Sequence, residues 1–142
     1  MKIIHIAASI AIAAAATTAT AAPFPLATYA ESYAGPKTLT VEVASSTQGD
    51  KALIKVYGIN HPWDGKVVMT TVRRDPNRGS VEYIARSQGK EWVVMHETER
   101  GNAKLSLPGS LDLPLHFDRG ASLSLAPAHI ASDYERPEGA VK

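Results

Sequence analysis

Residues 38–44 read TLTVEVA, and their alternation decides the fold. Leu39, Val41 and Val43 fall on one side of an extended chain, and Thr40 and Glu42 on the other. That period of two marks a half-buried strand. The same pattern continues along the chain. After a polar, glycine-containing turn at 45–50, residues 52–59 make a second strand, with Ala52, Ile54 and Val56 opposing Leu53, Lys55 and Tyr57. Residues 66–73 are rich in β-branched side chains and make a third. Asp75-Pro76-Asn77-Arg78-Gly79 is a turn, because proline presets one torsion while Asn and Gly tolerate positive φ. Residues 81–86 and 91–97 are the next two strands, joined by a turn at 88–90. In the second of these, Trp92 and Val94 point one way and Val93 and Met95 the other, which predicts a central strand covered on both faces. Tyr83 and Trp92 are expected to pack as cross-strand neighbours.

Short strands at 104–107, 111–117 and 121–125 complete the set. Pro114 cannot donate to a ladder, so its strand is expected at an edge or a bulge, and an edge leaves dimerisation by sheet extension open. About eight short strands on tight turns, with no crossover helices between them, define an all-β domain over 38–126: an antiparallel β-sandwich or small barrel. Residues 22–37 read as a linker or short helix, although Tyr29, Glu31 and Tyr33 also alternate as a strand would. Residues 127–142, rich in Pro, Ala and charge, read as a mobile C-terminal tail.

The start of the chain is an export signal. Lys2 precedes an apolar or small run over 3–16, broken only by His5 and Ser9, and Ala19-Thr20-Ala21 has the small-x-small form a signal peptidase accepts. The expected signal peptide is 1–21, cut after Ala21. Its apolar run is shorter than the roughly 20 residues that span a bilayer. The chain has no cysteine, hence no lipid-attachment site and no disulfide. A domain of about 120 residues must therefore stand on its core alone. An alanine-rich signal without any Asn-x-Ser/Thr sequon fits a bacterial protein, periplasmic or secreted.

Net charge is +1, and zero without Lys2, which argues against nucleic-acid binding. Between 66 and 90, Lys66, Arg73, Arg74, Arg78, Arg86 and Lys90 outnumber Asp75 and Glu82. Cross-strand pairing with the acidic stretch that follows accounts for much of this. No phosphate-cradling glycine loop, GxSxG elbow or cofactor motif is present, and His96-Glu97-Thr98-Glu99-Arg100 lacks the second histidine of a zinc peptidase helix.

The most distinctive local sequence is Asn60-His61-Pro62-Trp63-Asp64-Gly65, which sets an imidazole, an indole and a carboxylate on one loop between strands. Trp63 offers a flat face to a sugar ring or a protein partner. The plain structural alternative is a turn built by Pro62, Asp64 and Gly65, with Trp63 folded back over an open end of the sheet. Arg73, Arg74 and Arg78 cluster at one hairpin end, suited to gripping carboxylates or phosphates. In a simple meander these two regions lie at opposite ends. His61, His96, His116 and His129 each have a carboxylate nearby in sequence (Asp64, Glu97, Asp118, Asp133), a pairing that suits zinc or copper without diagnostic spacing.

Taken together, these features lead to an exported binding module for a protein or other envelope macromolecule, such as an inhibitor or immunity-type partner of an envelope enzyme. Its expected contact residues are His61, Trp63, Asp64, Arg73, Arg74 and Arg78, with no cofactor, nucleic acid or membrane anchor. A small-ligand or metal-binding β-protein is the alternative, and a hydrolase with an unrecognised site the third reading.

Overall fold

The computed structural model describes residues 22–98 and 101–142. The export segment expected at 1–21 lies outside them. The strands are β1 (Glu31–Ala34), β2 (Thr40–Ser45), β3 (Lys51–Tyr57), β4 (Lys66–Asp75), β5 (Ser80–Ser87), β6 (Lys90–Glu97), β7 (Asn102–Leu105) and β8 (Leu113–Phe117). They pair antiparallel in chain order around a closed barrel. The pairs Tyr33–Phe117 and Ala34–His116 join β1 to β8 and close the ring. Of the two all-β forms, the barrel is the one realised.

Alternation sends one face of each strand inward. Val41 and Val43 of β2, Ala52, Ile54 and Val56 of β3 and Val68 of β4 meet Leu105 and Leu115 in an apolar lumen. A second core lies outside the wall, where Ala44, Leu53 and Val67 pack beneath Ile130 and Ala131 of a helix. The middle of this wall is thus apolar on both faces.

Several expected boundaries move. Residues 31–34, expected within a linker or short helix, are β1. Glu-Ser-Tyr-Ala has little intrinsic strand propensity, and ring closure between β2 and β8 outweighs it. Residues 121–125, expected as a strand, belong mostly to the helix α1 (Arg119–Ser124), which Asp118 caps by accepting from the Ala121 N–H at 3.0 Å. Residues 127–142, expected as a mobile tail, carry the helix α2 (Pro127–Glu135) and a docked terminal segment. Pro127 sits in the first turn, where its missing N–H costs nothing, and Pro137 follows the end. Lys55 of β3 bonds Asp133 of α2 at 2.7 Å, which fixes the helix to the wall.

Two details of the sheet depart from strict alternation. Tyr83 pairs with Met95 and Ile84 with Val93, so Val94 is an extra residue with no partner. This β-bulge turns both Val94 and Met95 into the lumen core, while Trp92, on the face of lumen residue Ala85, is 39% exposed. β6 is therefore covered on one face, not two. Trp92 pairs with Ala85, not Tyr83, and its indole N–H donates to the Ser106 carbonyl at 2.6 Å. Pro114 pairs with Lys104 of β7 just beyond the end of β1, in a strand otherwise closed into the ring rather than at a free edge.

Candidate functional site: a seam between β4 and β5

The ladder between β4 and β5 runs from Asp75–Ser80 to Thr71–Ile84 and stops. The rung that would follow, Met69 with Arg86, is not made. The break falls beside the bulge at Val94, which sharpens local twist: Ile84 is both the last residue laddered to β4 and the first beyond the register shift to β6. The amino-terminal half of β4 is left with a free edge about 17 Å long.

The chain itself uses one rung of that edge. The Val67 N–H donates to the Gly139 carbonyl at 2.6 Å, and the Val141 N–H donates to the Val67 carbonyl at 2.9 Å. Residues 139–141 thus lie as a short parallel strand on β4. On the opposite side, the Val72 N–H donates to Asp50 of the β3 side at 2.9 Å. Main-chain groups alternate along a strand, so odd-numbered residues of β4 aim theirs at the seam. Among the described residues, Met69 is the one whose groups face it without a strand partner.

A cleft of about 570 Å³ occupies the gap. Lumen residues Val68 and Ala85 line it together with outer-surface residues Met69, Thr71, Ile84 and Arg86, so it opens through the barrel wall. Lys51, Arg73, Arg86 and Lys142 stand at its rim, and Glu91 is the single acidic side chain there among the described residues. Arg86 pairs with Glu91 at 3.0 Å, and Arg73 donates from Nε to Glu82 at 3.0 Å. Lys51 and Lys142 have no carboxylate within ion-pair distance among the described residues.

The six sequence-expected contact residues separate here. The loop at 58–65 and the hairpin at 75–80 lie at opposite ends of the barrel, as a meander requires. β4 connects them, however, and Trp63 from one end and Arg73 from its long strand line the same cleft. Trp63 is half-buried against the lumen core. His61 and Asp64 build the loop that holds it. The Asp64 carboxylate accepts from the Gly58 N–H at 2.8 Å and the Ile59 N–H at 3.2 Å. His61 Nδ1 accepts from the Trp63 N–H at 3.1 Å while Nε2 lies 2.8 Å from the Pro108 carbonyl, which fits the neutral tautomer protonated on Nε2. Gly58 is required there: φ is 81°, and a Cβ would stand 2.1 Å from the Thr38 carbonyl oxygen. Arg78, 3.8 Å from Asp75, does not line this cleft; it lines a second one, at the hairpin end, with Arg73, Arg74 and His96.

Arg74 lies at the other end of the barrel, beside a polar cluster that residue spacing did not reveal. The Tyr33 hydroxyl donates to Glu31 at 2.8 Å, and the Tyr83 hydroxyl donates to Glu97 at 3.1 Å. Burial and the two carboxylates push both phenols well up. Burial, then the charge of Glu31, raises Glu97, while hydrogen bonds from Tyr83 and Tyr33 and the Arg74 charge oppose the shift. The signal for this cluster was alternation itself, which puts Glu31 on the face of Tyr33 and Glu97 on that of Met95.

His61, His96, His116 and His129 sit on four different parts of the fold. His116 bonds Asn102 at 3.1 Å, and among the described residues no three His, Asp or Glu side chains converge as a metal site would need. Among the described residues no helix is long and apolar enough to cross a membrane. No family model, no curated protein and no solved structure matches the chain.

Proposed function

We propose that this protein is an exported binding module, periplasmic or secreted, that captures a macromolecular partner at the β4–β5 seam, as an inhibitor or immunity-type protein of an envelope enzyme would. The observation that carries the reading is the meeting of Trp63 and Arg73 in one cleft, with an apolar floor and a cationic rim. An aromatic side chain held in a pocket with arginine beside it is the composition of an interface hot spot. The filled lumen supports the same choice over a small ligand inside the barrel, because sixteen buried core residues occupy that space. His61 and Asp64 serve by holding the loop, Trp63 and Arg73 by contact.

The test is capture of partners by the mature protein from an envelope extract of its source, with Trp63→Ala and Arg73→Glu in parallel. Trp63→Ala also removes packing from the core, so Arg73→Glu, at a side chain 63% exposed, keeps the test clean. The expected result is one dominant partner, weakened about tenfold or more by either change while both variants stay folded. Equal capture by all three proteins would place the contact surface elsewhere.

A further inference from the structure

We infer that the partner presents an extended, acidic polypeptide segment, which adds as a strand to the free edge of β4 at Val67 and Met69 and displaces residues 139–141. This rests on the seam being the binding surface and specifies how that surface recognises its partner.

Three observations carry it. The edge already accepts a strand, since Val67 holds Gly139 and Val141 through both of its main-chain groups. That occupant makes one rung only, and the next, from the Met69 N–H to the Val141 carbonyl, is absent. A segment that engages both Val67 and Met69 forms more main-chain bonds than the one it replaces, which is the basis of strand addition. The chemistry beside the edge then selects the segment. Alternate side chains of an added strand face the lumen side, toward Val68, Ala85 and Trp63, or the rim, toward Lys51, Arg73 and Arg86. Apolar residues suit the first set and carboxylates the second, with Lys51 free of any acidic partner among the described residues. Residues 139–141 are a short competitor: beyond Pro137, two hydrogen bonds at Val67, one from the Gly139 N–H to the Arg136 carbonyl and the packing of Val141 hold them.

The test selects random displayed peptides on the full mature chain, then follows amide exchange by NMR with the strongest synthetic peptide. Enriched sequences should alternate apolar and acidic residues. Binding should protect the Met69 amide and expose the Val141 amide. Met69→Pro removes an N–H that no strand uses and should weaken the peptide about tenfold or more, whereas Met69→Ala, which keeps that N–H, should change it by less than about threefold. Peptides that bind while either amide keeps its free-state exchange would overturn strand addition. If the partner is still lost in Trp63→Ala and Arg73→Glu, the seam reading then survives alone. Failure of any peptide to enrich, together with equal partner capture by those variants, would remove both.

Discussion

The two walls that share β4 are built by different rules. In the wall of β2, β3 and β4, every strand is laddered to the next, Leu53 and Val67 are sealed beneath α2, and the middle of the lumen face is apolar. In the wall of β4, β5 and β6, the ladder breaks halfway, no helix among the described residues packs on β5 or β6, and Tyr83 and Glu97 bring polar groups into the lumen. The contrast separates scaffold from surface. A wall buried on both sides tolerates no free main-chain group, whereas a wall with a bulge can end its ladder early and leave donors and acceptors for another chain.

The largest expected effect comes from trading the same truncation across the two walls. Leu53 is wholly buried on β3, and Leu53→Ala should cost about 2–5 kcal/mol, read as a lower urea midpoint. Met69, its neighbour across the β3–β4 ladder, is 36% exposed at the seam, and Met69→Ala should stay within about 1 kcal/mol. Equal costs would mean that the seam is as tightly packed as the sealed wall, and would undo the comparison.

How far the sequence reveals this follows from where the deciding interactions lie. The strands from 40 to 97 were legible because one face of each is buried, and burial writes a period of two directly into the chain. β1 was legible only as one of two readings, since the alternation of Tyr29, Glu31 and Tyr33 competed with a short helix and its pairing partners are distant. α2 left a usable signal: Pro127 and Pro137 bracket nine residues with Ile130, Ala131 and Tyr134 on the side that docks. The bulge hid inside Val93-Val94-Met95, since a run of apolar residues reads equally as a strand covered twice. Trp63 and Arg73 stood out by type, but their meeting depends on where the β4–β5 ladder ends, which no local pattern records.

A smaller, pH-dependent effect sharpens the contrast between the two walls. Both walls hold a carboxylate raised above its ordinary value of 4.5 by burial, Glu42 outside the first and Glu97 inside the second. A raised carboxyl binds its proton more tightly when folded, so its penalty is absent below about that value and grows as pH rises through the folded pKa. For Glu42 the next influence is Lys55, which favours the charge; for Glu97 it is Glu31, which opposes it. Glu97→Gln should therefore raise the urea midpoint at neutral pH more than Glu42→Gln does, with neither changing it much at pH 4. The amide carbonyl still accepts from Tyr83. An unchanged difference between the two pH values in Glu97→Gln would show that Glu97 carries no net penalty.

The smallest effect on stability concerns the rim. Arg86 and Glu91 are 74% and 60% exposed, and water screens such a pair almost completely. Glu91→Gln should shift stability by no more than about 0.5 kcal/mol. Its effect on capture should be larger in proportion, because Glu91 is, among the described residues, the single acidic side chain lining the cleft and its loss frees Arg86. An acidic partner should bind the variant more tightly at low salt, and the gain should shrink at high salt, where rim charges are screened. The sign is what discriminates. Weaker capture in Glu91→Gln would mean that the partner brings cations to the seam, and the charge chosen for its extended segment would then be wrong even if the edge of β4 is where it binds.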